Sequence, residues 1–376
     1  MKKNYISALA VLACVAVFCT ISGNSFHQMR TATEEIIPGE GVTEVRMLSD
    51  YFPDLAGTAG DTQIYVLQGE QEGGSCLILG GTHENELGGH MGAVLFVENA
   101  KVEAGTLYVI PRTNNSAFTH NDPQEGHPST VHITTDEGNV REFIHGSRAT
   151  NPVDQWPDPD VYVNYMGQSL SGSENRNINR TYPGKADGTL TEMMSYGIVQ
   201  LINTENIDVT VDLHEASPEY PVINALIAHE RAMNLASNVV VDMQMEGVQI
   251  SLEPSPTDLR GLTHRELGDH TDTLALLMEA PNPAQGRLRD RTDEALVLTG
   301  KSETYVKAGE IGQLYVPYDE NGWPIEVRCA RHVFGIERIL ANYSEMYEEP
   351  IIVTGMPSYD ELVKNGMGPY LNEPTT

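Results

Sequence analysis

Cysteine is scarce in this sequence, with four in 376 residues, and two of them, Cys14 and Cys19, lie in an apolar N-terminal segment. The remainder contains only Cys76 and Cys329 and no C-x-x-C pair. This shortage excludes a disulfide framework and a cysteine-rich zinc site. Cys76 stands in an apolar, strand-like run, so we interpret it as a buried small residue.

Basic residues are also scarce, because 23 lysines and arginines stand against 53 aspartates and glutamates and give a formal net charge of -30. Such a field repels a phosphate backbone, so the composition argues against nucleic-acid binding. The sequence also lacks internal repeats and low-complexity tracts, which argues against a structural role in the envelope. Its length suits one large or two average domains.

The one long hydrophobic run is at the N-terminus. Lys2 and Lys3 precede an apolar stretch over residues 6–21, and small and polar residues follow. This layout is typical of a secretory signal, but the missing A-x-A cleavage site leaves an uncleaved membrane anchor open. A buried core helix is the third alternative, and the lysines disfavour it. We assign residues 1–24 to a signal peptide or anchor and expect the rest to work outside the cytoplasm, touching the membrane only through this segment.

The rest of the chain alternates between short apolar runs and longer amphipathic ones, which predicts an α/β sheet covered by helices on both faces. Predicted strands cover residues 75–81, 106–112, 207–214, 221–228 and 274–280, and predicted helices cover 88–100, 189–206, 229–247 and 330–349. A polar, irregular stretch over 113–185 is long enough to be functional. We therefore expect a linker over 25–45, one domain over 46–349 and a tail over 350–376.

The stretch "GGTHENELGG" places His83 and Glu86 three positions apart, directly after a predicted strand, and His214 ends another. Ligands of open α/β sheets bind at the carboxyl ends of strands, and catalytic zinc commonly takes three nitrogen or oxygen ligands. The three residues therefore predict a metal site. A turn brings Glu86 back toward the metal, whereas the adjacent Glu84 points away. The alternative, that H-x-x-E is only a structural pattern, stays open on spacing alone.

Four stretches resemble, in order, motifs of the succinylglutamate desuccinylase and aspartoacylase branch of the zinc carboxypeptidase superfamily. "GGTHENELGG" is similar to its first zinc motif, H-x-N-E, and "VDLHEA" to the strand with the third ligand. "NINRTYPG" is similar to its Asn-Arg substrate motif, and "LALLMEAP" to the strand with the catalytic glutamate. Together they span residues 80–281. The resemblance implies a zinc carboxypeptidase-like fold with a mixed, mostly parallel central sheet.

The resemblance also implies one Zn²⁺ ion per chain with three protein ligands, which are His83, Glu86 and His214. Glu279 would act as general base and then as general acid. Asn179 and Arg180 would hold a carboxylate of the substrate, since a guanidinium grips a carboxylate with two hydrogen bonds.

Two positions depart from the pattern of that branch. An arginine that stabilises the oxyanion is expected upstream of the Asn-Arg pair. Arg176 is our candidate for this catalytic role, although it is nearer to Asn179 than expected, and Arg148 is the competitor. Glu215 directly follows His214, and we interpret it as a solvated charge rather than as a group that supports the ligand.

These residues predict a zinc hydrolase that cleaves an amide bond of a small-molecule or peptide substrate carrying a carboxylate. An N-acyl amino acid deacylase is the first interpretation. A carboxypeptidase acting on peptides or on cell-wall stem peptides is the second, because it fits the expected location. An inactive protein of the same fold that binds a carboxylate ligand is the third. The retained Glu279 argues against the last, since binding alone needs no general base.

Overall fold

The computed structural model describes residues 2–122, 127–289 and 291–374. Met1 of the predicted signal segment, residues 123–126 of the predicted loop region and residues 375–376 of the predicted tail lie outside the described residues.

Over the described residues the chain forms nine α-helices and thirteen strands. The helices are α1 (Lys2–Thr31), α2 (Leu87–Asn99), α3 (Leu190–Glu205), α4 (Met233–Met245), α5 (Thr263–His270), α6 (Glu294–Thr299), α7 (Glu303–Glu310), α8 (Ile325–Tyr347) and α9 (Tyr359–Asn365). The strands are β1 (Glu44–Met47), β2 (Gln63–Gln68), β3 (Gln71–Leu79), β4 (Lys101–Ile110), β5 (Thr130–Thr134), β6 (Val140–Ile144), β7 (Val161–Val163), β8 (Ser169–Ser171), β9 (Val209–Ala216), β10 (Ala225–Ala228), β11 (Ser251–Pro254), β12 (Leu274–Pro281) and β13 (Ile352–Thr354).

In the described part of the chain, nine strands build one mixed sheet in the order β1-β2-β4-β3-β9-β12-β10-β11, with β13 pairing to β4. The four central strands, β4, β3, β9 and β12, run parallel to one another. The flanking pairs β1–β2, β2–β4 and β10–β12 are antiparallel. This arrangement confirms the predicted α/β class with a mixed sheet and a parallel centre.

Helices cover both faces of the sheet, because successive residues of a buried strand point to opposite sides. Ile78 of β3 packs in a core that includes residues of α2, α4 and α8. Its neighbours Leu77 and Leu79 pack on the other side, in a core that includes residues of α3 and α5. The continuous apolar runs that predicted the central strands therefore correspond to strands that are buried on both faces.

The elements that carry the site agree with the predictions within a few residues, and Cys76 is fully buried in β3 as expected. The stretch over 113–185 is less irregular than predicted, since it contains the hairpins β5–β6 and β7–β8. Its strands have five or three residues each, too short for their alternation to stand out from the polar sequence around them.

The predicted linker and tail both pack against the domain. α1 extends through residue 31, and residues 4–31 are long and apolar enough to cross a membrane. Ile36 and Val42 then pack against the main core, as do Leu362 and Leu371 of the C-terminal region. The few apolar residues of these two segments follow no regular period, so the sequence did not reveal this packing.

Glu98, at the C-terminal end of α2, joins both terminal segments to the domain. Its carboxylate accepts two hydrogen bonds from Arg141 at 2.7 Å and further bonds from the backbone N–H groups of Ile37 and Asn372. The side chains of Glu98 and Arg141 are nearly fully buried. A buried carboxylate with these partners fixes residues that are far apart in sequence.

Replacing Glu98→Ala is expected to lower the free energy of unfolding by about 3–5 kcal/mol, since it leaves the buried Arg141 guanidinium without its carboxylate partner. Chemical denaturation of the full chain in detergent measures the change. Glu40→Ala is the matched control, because Glu40 pairs with Lys101 at the surface and should change stability little. An effect of Glu98→Ala as small as that of the control would contradict this account.

Candidate active site

The stretch "GGTHENELGG" is a turn that leads into a helix. Gly81 follows β3 with a φ of +60°, and a β-carbon there would lie 2.5 Å from the carbonyl oxygen of Pro111. α2 then begins at Leu87 with Glu86 as its N-cap residue. A β-carbon on Gly88 would lie 2.2 Å from Glu215 Oε1. The glycines therefore let the turn and the start of α2 approach β9 closely, which brings Glu86 to His214.

His83, Glu86 and His214 form one compact donor set, and all three are buried. One ligand atom from each lies within 4.8 Å of the others. Glu86 Oε1 lies 2.8 Å from His83 Nδ1, and Glu86 Oε2 lies 2.9 Å from His214 Nδ1. The three residues predicted to bind a metal are thus brought together from two strand ends and the turn between β3 and α2.

The outer nitrogen of each imidazole has its own acceptor. His83 Nε2 lies 2.9 Å from Asn177 Oδ1, and His214 Nε2 lies 2.8 Å from Asp212 Oδ2. Such bonds fix the ring orientation and leave Nδ1 as the ligand atom. Sequence reasoning missed both acceptors. The alternation of β9 could have revealed Asp212, which shares a face with His214, whereas Asn177 comes from a loop and gives no spacing signal.

Burial and neighbouring charges shift the pKa values of the three donor-set residues in different directions. Burial lowers the pKa of His214, but the carboxylates of Asp212 and Glu86 outweigh it and raise that pKa well above its usual value. Burial raises the pKa of Glu86, but the two imidazoles hold it well below its usual range. Burial also lowers the pKa of His83 to about 4, which favours the neutral form that metals bind. Two imidazole nitrogens and one carboxylate therefore fit a divalent metal ion.

Glu279 stands on β12 directly opposite His214 of β9 in the sheet register. Paired residues of adjacent strands point to the same face, so both side chains face the same cavity. Glu279 Oε2 is buried without a hydrogen-bond partner among the described residues. Burial raises the pKa of Glu279 to about 8, against the opposing effects of His214 and Arg148. This carboxylate is therefore poised to bind a proton near neutral pH.

Asn179 and Arg180 line the same cavity as Glu279. Asn179 Oδ1 accepts hydrogen bonds from Thr263 N and Oγ1 at 2.8 and 3.1 Å. Because the oxygen is occupied, the amide nitrogen of Asn179 is the atom that can donate a hydrogen bond to a ligand. Arg180 Nη1 donates to the carbonyl oxygen of Asn179 at 2.6 Å. Burial, with the charge of Arg148, lowers the pKa of Arg180. An anion in the cavity would relieve that electrostatic cost.

The two candidate arginines lie in different places. Arg148 lines the cavity, and its Nη1 donates to Glu86 Oε1 at 2.9 Å. Arg176 instead forms two hydrogen bonds to Asp158, at 2.8 and 2.9 Å, and a third to the carbonyl oxygen of Thr150. These bonds connect separate parts of the loop. They also point the Arg176 guanidinium toward Asp158 and not toward the donor set.

The two other glutamates of these motifs are both buried. Glu215 does not form the solvated charge that we expected, because its carboxylate accepts hydrogen bonds from Arg328 and Asn282. Its backbone N–H donates to Glu86 Oε2 at 2.9 Å, so it also supports the metal-ligand candidate. Glu84 lies outside the donor set, as predicted from its position next to His83.

The donor set opens into a cavity of about 440 Å³. Its charged lining residues include Glu86, His214, Glu279 and the two arginines, Arg148 and Arg180. Its apolar lining residues include Val222, Ile227, Leu259, Leu262 and Leu277. Fold and site together define an α/β protein with a candidate metal centre at the mouths of parallel strands.

No protein-family model and no curated protein matches the chain. Similar solved structures include a succinylglutamate desuccinylase from Silicibacter sp. TM1040, at 16% identity and a TM-score of 0.42 over 76% of this chain and 61% of that one. A metallo-carboxypeptidase from Burkholderia cenocepacia is 11% identical, with a TM-score of 0.45 over 81% of this chain and 66% of that one. The product-bound cell shape determinant protein Csd4 from Helicobacter pylori is 13% identical, with a TM-score of 0.45 over 81% and 59%.

The chain thus spans about three-fifths to two-thirds of the length of these three proteins. They include a member of the desuccinylase branch, whose motifs the sequence resembles, and a metallo-carboxypeptidase. At 11–16% identity this likeness assigns no activity to the chain.

Proposed function

We propose that the chain is an extracytoplasmic, zinc-dependent hydrolase that cleaves an amide bond in a substrate bearing a carboxylate. The main support for this function is the position of Glu279 next to the donor set. A buried carboxylate oxygen of Glu279, unpaired among residues 2–122, 127–289 and 291–374, stands beside a His-Glu-His donor set in a cavity that also holds two arginines. A cavity built only to bind a carboxylate needs the arginines, but it needs neither the donor set nor a carboxylate with a raised pKa.

His83, Glu86 and His214 would hold the zinc ion, which when bound acts as a Lewis acid toward water and a carbonyl group. Glu279 takes a proton from the attacking water and transfers it to the leaving nitrogen. Burial of Glu279 suits both steps, because a carboxylate with a pKa near neutrality both accepts and releases a proton readily.

The remaining polar groups position the substrate. The Arg180 guanidinium and the Asn179 amide nitrogen bind the substrate carboxylate, which holds the scissile amide over the donor set. Arg148 lies next to Glu86 and donates to the carbonyl oxygen as negative charge develops on it. We therefore assign the oxyanion role to Arg148, and to Arg176 the role of fixing the loop through Asp158.

Arg148→Met is expected to lower kcat by about 10²–10³-fold while zinc stays bound, because one donor to the developing negative charge is lost. Arg176→Met is the comparison variant. It removes the ion pair with Asp158, so it should lower thermal stability. Its effect on kcat should be smaller than that of Arg148→Met. Steady-state kinetics and thermal unfolding of both variants test the assignment, and a larger kcat loss in Arg176→Met would reverse it.

The function is tested by incubating the zinc-loaded full chain, in detergent, with N-acyl amino acids and with short peptides that have free carboxyl termini. Release of an acyl group or of a terminal amino acid is the expected result and distinguishes a deacylase from a carboxypeptidase. Amidated forms of the same compounds are the control and should react poorly, since Arg180 has no carboxylate to bind. Hydrolysis in neither panel would reject the proposal in favour of a carboxylate-binding protein.

The extracytoplasmic location is supported by α1. Residues 4–31 form an exposed helix with a mean hydropathy of 2.3 in its most apolar window, and Lys2 and Lys3 precede it. That order is typical of an export signal or an N-terminal anchor. A fusion of a periplasm-dependent reporter to the C-terminus is expected to be active and to lose activity when residues 2–24 are deleted.

A further inference from the structure

The floor of the cavity crosses the sheet away from the donor set. Leu277 of β12, Ile227 of β10 and Glu253 of β11 are aligned in the sheet register, one on each strand. Because aligned residues point to the same face, all three line the cavity. Adjacent strands are about 4.8 Å apart, so Glu253 stands roughly 14 Å from the strand that carries His214.

The row of side chains that leads across the sheet to Glu253 is apolar. Leu277 and Ile227 form this floor, whereas the rest of the lining also contains polar residues such as Tyr220 and His264. The two floor side chains offer no hydrogen bond, so the floor suits an aliphatic chain and not a second carboxylate or a sugar. Of the two cavity arginines, Arg148 lies beside Glu86 and Arg180 beside Asn179.

Among the described residues that line the cavity, Glu253 is the one carboxylate with neither a partner nor an assigned role. Glu86 belongs to the donor set, Glu279 handles the proton and Glu215 is bonded to Arg328. In the described part of the chain the Glu253 carboxylate has no hydrogen bond or ion pair. Charged residues also occur on edge strands such as β11 to prevent pairing with other chains. The alignment of Glu253 with Ile227 nevertheless turns its side chain toward the cavity.

We propose that the substrate is an amino acid with a basic side chain, acylated on its α-nitrogen and free at its carboxyl group. This inference rests on the proposed function. The carboxylate binds Arg180, the aliphatic part of the side chain lies on Leu277 and Ile227, and the terminal ammonium group pairs with Glu253. Two strand spacings separate β12 from β11, a distance of about 10 Å. The four-carbon stem of a lysine side chain and the side chain of Glu253 together span this distance.

The test compares Nα-acetyl-lysine with Nα-acetyl-norleucine, which has the same aliphatic stem without the charge. With the zinc-loaded full chain, kcat/KM for the lysine compound is expected to be about 10-fold higher, the size of one charge-assisted hydrogen bond. In Glu253→Gln the lysine preference should disappear, because kcat/KM for the lysine compound should fall to that of the norleucine compound measured in the same variant. Asp258→Asn is the matched control, because Asp258 is an exposed carboxylate nearby in sequence that does not line the cavity.

Equal kcat/KM for the two compounds, or a preference that survives in Glu253→Gln, would overturn the inference and leave the hydrolase proposal standing. Equilibrium binding of the same compounds to the full chain separates the two ideas. Suppose that neither compound is hydrolysed, but the lysine compound binds more tightly and this difference is lost in Glu253→Gln. That result would support the role of Glu253 and reject the proposal that the protein is a hydrolase. Equal binding in that case would reject both.

Discussion

Full-length protein purified without chelator is expected to carry about one zinc ion per chain, and the His83→Ala/His214→Ala double variant is expected to carry none. The two imidazoles supply two of the three ligand atoms that lie within 4.8 Å of one another. With both removed, Glu86 is left with Arg148 and the backbone N–H of Glu215, and a single carboxylate binds zinc weakly. Metal analysis of the dialysed proteins measures the effect.

His264→Ala is the matched control for this experiment. His264 is a buried histidine of the same cavity, but its Nδ1 lies 2.7 Å from Ser255 Oγ and it is not part of the donor set. Its loss should therefore leave zinc content unchanged. A parent protein that binds no metal, even after zinc is added back, would refute the metal site. Equal zinc loss in the control variant would show that zinc binding depends on the cavity as a whole.

Glu279→Gln is expected to lower kcat by about 10²–10⁴-fold, because the amide cannot take a proton from water or pass one to the leaving nitrogen. KM and zinc content should change little, since Glu279 is outside the donor set and the substrate carboxylate is assigned to Arg180 and Asn179. Glutamine has nearly the same shape as glutamate, so the cavity should be preserved. Steady-state kinetics with metal analysis of the same sample measures both quantities.

Glu215→Gln is the comparison for Glu279→Gln, because Glu215 is also a buried carboxylate of the cavity but is bonded to Arg328 and Asn282. It is expected to lower stability, since the Arg328 guanidinium loses its charged partner, and to have a smaller effect on kcat than Glu279→Gln. A Glu279→Gln variant with nearly full activity would remove Glu279 from the mechanism, whatever its position in the cavity.

The sequence patterns located the metal-ligand candidates because strand ends leave local signals. A histidine that directly follows an apolar run must lie at the edge of the sheet, and His83 and His214 both do. The choice of Glu86 over Glu84 followed from the geometry of a turn, and the structure places Glu86 between the two imidazoles. These predictions needed only the period of a strand and the tightness of a glycine turn.

Sequence reasoning left the choice between the two arginines open, and its interpretation of Glu215 was wrong. Arg148 and Arg176 both occur in a polar loop without periodicity, and only the fold directs one to Glu86 and the other to Asp158. Glu215 looked like a solvated charge because nothing near it in sequence could neutralise it. Its partner, Arg328, comes from α8, 113 residues away, and this long-range pair keeps the carboxylate buried.

The sequence by itself determined the α/β class, the central strands and the residues at their ends, because these depend on local hydrophobic periods and glycine turns. The tertiary structure alone decided which side chains meet in the cavity. It aligned Glu279 with His214, placed Glu253 at the far end of an apolar floor and packed both terminal segments against the domain. The physical reason is that strand order and register bring together residues that are far apart in the chain, and no local pattern records those pairings.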